Sequence, residues 1–162
     1  REAGVESGLV HGGTSTVCAL GSGPDGEGWP VALPLAPGES GHGEVVRLRD
    51  ETLSVSAVWG RAFVADGRVL GHVIDPRLGE PVMTASMAAV RLPSATESDA
   101  LSTALLVLGE AGRKRLATLR PGIGLWLRTA GWPGNPRRGG GGTPKDARVG
   151  GSLKGGRRPT GP

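Results

Sequence analysis

The stretch SATESDALSTALLVLG, Ser94 to Gly109, constrains this chain more than any other. It carries a start, an apolar face and a stop. Ser94 followed three residues on by Glu97 fits a capping box, with Ser94 as N-cap. Gly109 fits the position just past a helix end, where a left-handed backbone is usual. Leu101, Leu105 and Leu108 recur at helical spacing and predict a buried stripe. Asp99 and Thr103 sit four apart on another face, so their oxygens lie one above the other. A carboxylate and a hydroxyl near a helix N-terminus can offer two hard oxygen ligands to a small cation. The same pair can equally serve the helix itself. Asp99 would then complement the dipole, and Thr103 would bond back to the Asp99 carbonyl.

Around this helix the pattern is mostly strand. Short strands are expected at Gly8–Val10 and Val17–Leu20, separated by His11-Gly12-Gly13-Thr14-Ser15-Thr16. A glycine pair there permits either a plain hairpin turn or close approach of backbone to a ligand such as a phosphate. Trp29 to Leu35 suggests an irregular edge strand; Val45–Leu48 and Thr52–Val58 alternate as strands. Asp66-Gly67, between Arg61–Ala65 and Arg68–Ile74, is a two-residue hairpin signal. Met83–Arg91 reads as a strand whose small residues suit packing beneath a helix. Beyond Gly109, Glu110–Leu119 has a weak helical pattern ending before Pro121, and Ile123–Leu127 is a last strand. The expectation is an α+β fold, a mostly antiparallel sheet with a few packed helices. Residues 1–130 are expected to form the folded unit, and 131–162 a disordered tail rich in Gly, Pro, Arg and Lys. The opening REAGVES reads as the end of a helix stopped by Gly4, hence as a cut through a longer protein.

Charge separates the same two regions. The net +4 of the 162 residues arises from residues 133–162, which hold seven Lys or Arg against one acid. Residues 1–132 hold twelve against fourteen. The folded part therefore lacks the basic footprint of a nucleic-acid binder, and aromatics are too few for a base-stacking surface. No apolar run approaches the roughly 20 residues that span a bilayer. The single cysteine, Cys18, excludes an internal disulfide and reads as a small core residue. Trp59 and Phe63 are expected to pack.

Among chemically capable residues, His72 lies three before Asp75, just ahead of the Asp75-Pro76 turn. His72 could act as a base, a proton shuttle or a phosphate contact, or be a hydrogen-bonded strand-end residue. Asp75 could equally be an Asx-turn residue, and Arg77 a surface charge. The sequence contains no nucleophile elbow, no Walker-type phosphate loop and no Gly-x-Gly-x-x-Gly.

Three stretches taken together resemble the FAD:protein FMN transferases, the ApbE-type flavin transferases. They are VHGGTSTVCALG (Val10 to Gly21), GHVIDPRLGEPV (Gly71 to Val82) and SDALSTALLVLG (Ser98 to Gly109). The resemblance covers about residues 1–125 and implies the C-terminal portion of such an enzyme. It implies FAD as substrate, with FMN moved through a phosphoester bond to a threonine of a client flavoprotein, such as a subunit of a membrane redox complex. It implies Mg²⁺ as cofactor with Asp99 and Thr103 as ligands, and His72 as the catalytic group. Gly12, Gly13, Thr14, His72, Ile74 and Asp75 would bind FAD. A bacterial cell-envelope location, at the outer face of the inner membrane, follows from the same resemblance. Leu78 stands where the family usually has Thr, and Thr14-Ser15-Thr16 where Asn or Asp is common. A flavin-binding or FAD-hydrolysing relative, and a non-catalytic scaffold, are the alternatives.

Overall fold

The computed structural model describes residues 4–13, 15–65 and 68–129. Thr14, the turn residues Asp66 and Gly67, and the expected tail 131–162 lie outside the described residues. The strands, in order, are β1 (Gly8–His11), β2 (Thr16–Leu20), β3 (Trp29–Ala32), β4 (Val45–Leu48), β5 (Thr52–Ala57), β6 (Ala62–Ala65), β7 (Arg68–Gly71), β8 (Ile74–Asp75), β9 (Glu80–Pro81) and β10 (Met87–Leu92). Helix α1 (Ala95–Leu119) and strand β11 (Gly124–Arg128) complete the fold.

One five-stranded sheet, in the order β1-β2-β5-β10-β11, forms the centre, and every pairing in it is antiparallel. Three two-stranded ribbons, β3-β4, β6-β7 and β8-β9, flank it. Alternation along β5 decides what covers each face. Leu53, Val55 and Ala57 join Met87 and Ala89 of β10 against Val46 and Leu48 of the β3-β4 ribbon. On the opposite face, Ala88 and Val90 meet Leu105 and Leu106 of α1. The sheet is thus sandwiched between a ribbon and a helix. Cys18, on β2, is half-buried and takes a hydrogen bond from Thr52 Oγ1 at 3.4 Å.

Helix α1 keeps its expected start at Ser94 and its break at Gly109, and departs from the expected details in two ways. Its N-cap is Ser94, whose side chain accepts from Glu97 N at 3.3 Å. The Glu97 carboxylate, however, does not close a capping box; it binds Arg120 at 2.8 Å. In a straight helix those two residues would stand ~35 Å apart, at 1.5 Å per residue. Their contact shows that the two halves of α1 fold back on each other at Gly109, whose backbone is non-helical (φ 63, ψ −144). Glu110–Leu119 is therefore a separate helical arm returning over the first. The buried stripe also shifts. Leu105 and Leu106 are fully buried, whereas Leu108 is 40% exposed. The rest of the inward face is small: Ser98, Ser102, Gly109 and Gly112. Small residues let α1 sit close to the sheet, and the reversal at Gly109 leaves Leu108 outside.

Trp59 packs against both core clusters. Phe63 does not pack as expected: it is 46% exposed on the β6-β7 hairpin. Phe63 lies opposite Leu70 on a ribbon that pairs with no third strand among the described residues.

Candidate functional site

Ser54 and Ser56 occupy the helix-facing side of β5, alternating with Leu53, Val55 and Ala57, which face the ribbon. Serine there removes apolar volume beneath the first half of α1 and replaces it with hydroxyls. Ser54 is fully buried. Antiparallel register sets it opposite Thr16 of β2, with the two hydroxyl oxygens 3.0 Å apart. The Ser54 hydroxyl lies 3.1 Å from Asp99 Oδ1, and Thr16 Oγ1 lies 3.4 Å from the same oxygen. The Ser15 carbonyl is a further acceptor 3.2 Å from Ser54 Oγ. One turn on, Ser56 Oγ sits 2.8 Å from Ser102 Oγ and 2.9 Å from Thr103 Oγ1. Ser102 donates to the Asp99 carbonyl at 3.0 Å, and Thr103 reaches the same carbonyl at 3.4 Å.

Asp99 and Thr103 are therefore joined, through their own backbone and through the serines beneath them, at the exposed edge of this hydroxyl cluster. Oδ1 of Asp99 is the bonded oxygen. Among the described residues, Oδ2 has no hydrogen-bond partner. The donor set is all oxygen, with one anionic member, as a small hard cation prefers. Among the described residues no group of three His, Cys, Asp or Glu gathers anywhere. A cation at Asp99 and Thr103 would thus complete its shell from water or substrate oxygens.

The glycine pair belongs to the same end of the sheet. Gly12 N donates to Thr16 O at 3.0 Å, closing the β1-β2 turn, and His11 Nδ1 lies 3.1 Å from Gly13 O. Gly13 has φ 78 and requires glycine. A Cβ on Gly12 would meet nothing within 4 Å, so this exposed backbone is open to approach. Thr14, between Gly13 and Ser15, lies outside the described residues.

His72, Ile74 and Asp75 form a second group. The His72 backbone N and Nδ1 both lie within reach of the Arg61 carbonyl, at 3.2 and 3.0 Å. A carbonyl only accepts, so Nδ1 must carry the proton, and in the neutral ring Nε2 holds the lone pair. The His72 side chain is exposed, as is Ile74 of β8. Asp75 is buried, and its carboxylate is spent within its own turn. Oδ1 accepts from Arg77 N and Nε at 2.9 Å, and Oδ2 from Arg77 Nη2 at 2.6 Å. The Arg77 guanidinium holds the Asp75 carboxyl below the usual carboxylate range, aided by the backbone hydrogen bond. Arg77 also reaches the Val107 carbonyl at 3.3 Å, near the reversal in α1. Val107 lies ~12 Å along the helix from Asp99, at 1.5 Å per residue. Among the described residues no hydrogen bond joins the His72 group to the Asp99 group.

Sequence reading singled out Asp99 and Thr103 but passed over Ser54, Ser56 and Ser102. A signal existed. In TLSVSAV the alternation puts two serines where a buried strand should offer apolar side chains.

An antiparallel sheet covered by a reversed helix, with an acidic and hydroxyl-rich edge, defines an α+β class of domain. Known proteins narrow it. Residues 1–127 match the model of the ApbE family. The FAD:protein FMN transferase of Escherichia coli K12 is 33% identical over 111 residues, covering 66% of this chain and 31% of that protein. That of Treponema pallidum is 39% identical over 82 residues, covering 49% and 22%. The crystal structure of the ApbE protein from Thermotoga maritima superposes with a TM-score of 0.64 at 28% identity, covering 75% of this chain and 39% of the other. The apo flavinyl transferase ApbE of Pseudomonas stutzeri gives 0.62 at 32% identity, covering 80% and 40%. This chain belongs to the ApbE family. It spans 22% to 31% of the length of the curated relatives compared, all of them bacterial.

Proposed function

We propose that this chain supplies the metal-binding and acceptor-activating part of a Mg²⁺-dependent FAD:protein FMN transferase, which moves FMN from FAD to a threonine of a client protein through a phosphoester bond. The observation that carries the reading is the pairing of Asp99 with Thr103 over a buried hydroxyl cluster, in a family whose compared relatives bear that activity in their names. Asp99 Oδ2 and Thr103 Oγ1 would hold Mg²⁺. Bound there, the ion would neutralise charge growing on the leaving phosphate oxygens. At the exposed glycine turn, Gly12, whose N–H is held by the Thr16 carbonyl, would allow close approach of the diphosphate, and Gly13 and Thr14 would offer backbone donors. Ile74 would give FAD an apolar flank. Asp75 would act by fixing the turn that carries Ile74 and follows His72, since its oxygens are already taken by Arg77.

His72 is suited to the acceptor's proton. Its Nδ1–H is held by a carbonyl, which leaves Nε2 able to accept the proton of an incoming threonine hydroxyl. An envelope location, with a client from a membrane redox complex, is part of this reading. The test is incubation of the full-length protein with FAD, Mg²⁺ and a client bearing the acceptor threonine. Covalent, Mg²⁺-dependent flavin on that threonine supports the proposal. Free FMN and AMP without client labelling would replace it with FAD hydrolysis, and no turnover would return the chain to a scaffold.

A further inference from the structure

We infer that Ser54 is the positioning residue of the metal site, and this inference rests on the reading of Asp99 as a cation ligand. Ser54 is fully buried beneath an exposed carboxylate. Its single hydroxyl proton has two strong acceptors, Asp99 Oδ1 at 3.1 Å and the Ser15 carbonyl at 3.2 Å. A hydrogen bond to a carboxylate is charge-assisted and stronger than one to a neutral carbonyl, so the proton goes to Asp99. Thr16 Oγ1 lies 3.0 Å from the Ser54 oxygen and 3.4 Å from Asp99 Oδ1, so its proton braces the same carboxylate, directly or through Ser54. Ser102 lies 3.5 Å from Ser54 and closes the cluster on the helix side.

The consequence is an asymmetric carboxylate. Oδ1 is anchored to the sheet through Ser54 and Thr16, and Oδ2 is left for the cation. A short aspartate on the first turns of a helix has few rotamers, and one anchored oxygen selects among them. Strand β5 therefore sets the geometry of a ligand carried by α1, across 45 residues of sequence. Removing a hydrogen bond behind a metal ligand typically costs 10–100-fold in metal affinity.

The experiment measures Mn²⁺ binding to the full-length protein by water-proton relaxation, which follows weak binding without turnover. Alongside it, the Mg²⁺ concentration giving half-maximal FAD turnover is determined. Ser54→Ala should weaken Mn²⁺ about 10–100-fold and raise the Mg²⁺ requirement by a similar factor, with kcat at saturating Mg²⁺ far less affected. Ser54→Cys, which keeps the volume with a weaker donor, should fall between and serves if the alanine variant melts too early. If Asp99→Ala abolishes Mn²⁺ binding while Ser54→Ala and Ser54→Cys leave it at the wild-type value, the positioning role is refuted and the ligand reading stands. If Asp99→Ala itself leaves Mn²⁺ binding unchanged, the ligand reading fails and this inference falls with it.

Discussion

Substituting Gly109 tests the reversal in α1. The backbone there has φ 63 and ψ −144. A Cβ would find ordinary room, since its nearest neighbour would be Thr84 Oγ1 at 3.8 Å. Any cost of Gly109→Ala must therefore come from the backbone and not from a clash. That combination of angles lies away from the left-handed helical well and toward the region open almost only to glycine, where an L-residue costs about 1–3 kcal/mol. Restricting the unfolded chain returns about 0.4–1 kcal/mol. A net loss of about 1–2 kcal/mol corresponds to a fall of roughly 2–8 °C in Tm for a chain of this size. Asparagine separates two accounts. An ordinary left-handed helix end tolerates Asn, so Gly109→Asn would be nearly silent there. With ψ at −144, Asn should cost about as much as Ala, on the order of 1–2 kcal/mol. Paired urea and thermal melts of both variants give the answer. Should Gly109→Asn melt within a degree of wild type while Gly109→Ala falls, the residue is a simple helix stop and the reversal is misjudged. The Glu97–Arg120 contact supplies a second check. A variant that straightens α1 would separate the pair, and Glu97→Gln would then lose only the dipole interaction of a first-turn acid.

Asp99→Asn should abolish or sharply reduce Mg²⁺-dependent turnover at nearly unchanged Tm; wild-type Mg²⁺ dependence in that variant would return the pair to a helix-end role. His72→Ala should lower turnover by about 10²–10⁴-fold while FAD affinity changes little, and a collapse of FAD binding with kcat preserved would make His72 a binding residue instead. Leu105→Ala, at a fully buried position between helix and sheet, should cost about 2–5 kcal/mol in urea unfolding, and a loss below 1 kcal/mol would show that the helix is loosely seated. The Asp75–Arg77 turn predicts an acid dependence. Arg77 lowers the folded Asp75 pKa, so its contribution is complete above the unfolded value of about 3.9 and is lost as pH falls through the lower folded value. The Tm gap between wild type and Arg77→Gln should therefore shrink as pH drops below about 4, and a gap that widens would contradict the pairing.

Sequence alone placed most strands and the helix start, because these depend on local rules. Alternation in TLSVSAV, the Ser94 cap and the glycine after Leu108 each act within a few residues. The same locality made Asp99 and Thr103 visible as a pair, since four residues of helix bring them together whatever lies beneath. Three stretches of motif were enough to indicate the ApbE family. Tertiary structure decided what those local rules left open. Leu108 has the right spacing for the core but faces outward, because the chain reverses at Gly109 and small residues hold α1 close to the sheet. Glu97 has the right spacing for a capping box but is taken by Arg120, which reaches it only through that reversal. Asp75 reads from sequence as an Asx-turn residue or as part of a ligand site; its oxygens take the Arg77 N–H of such a turn and the Arg77 guanidinium, a pairing that spacing alone does not show. Ser54 could not be tied to Asp99 from sequence, because their contact spans 45 positions and depends on which face of β5 the helix covers. Spacing determines which side chains share a face; only packing determines what that face meets.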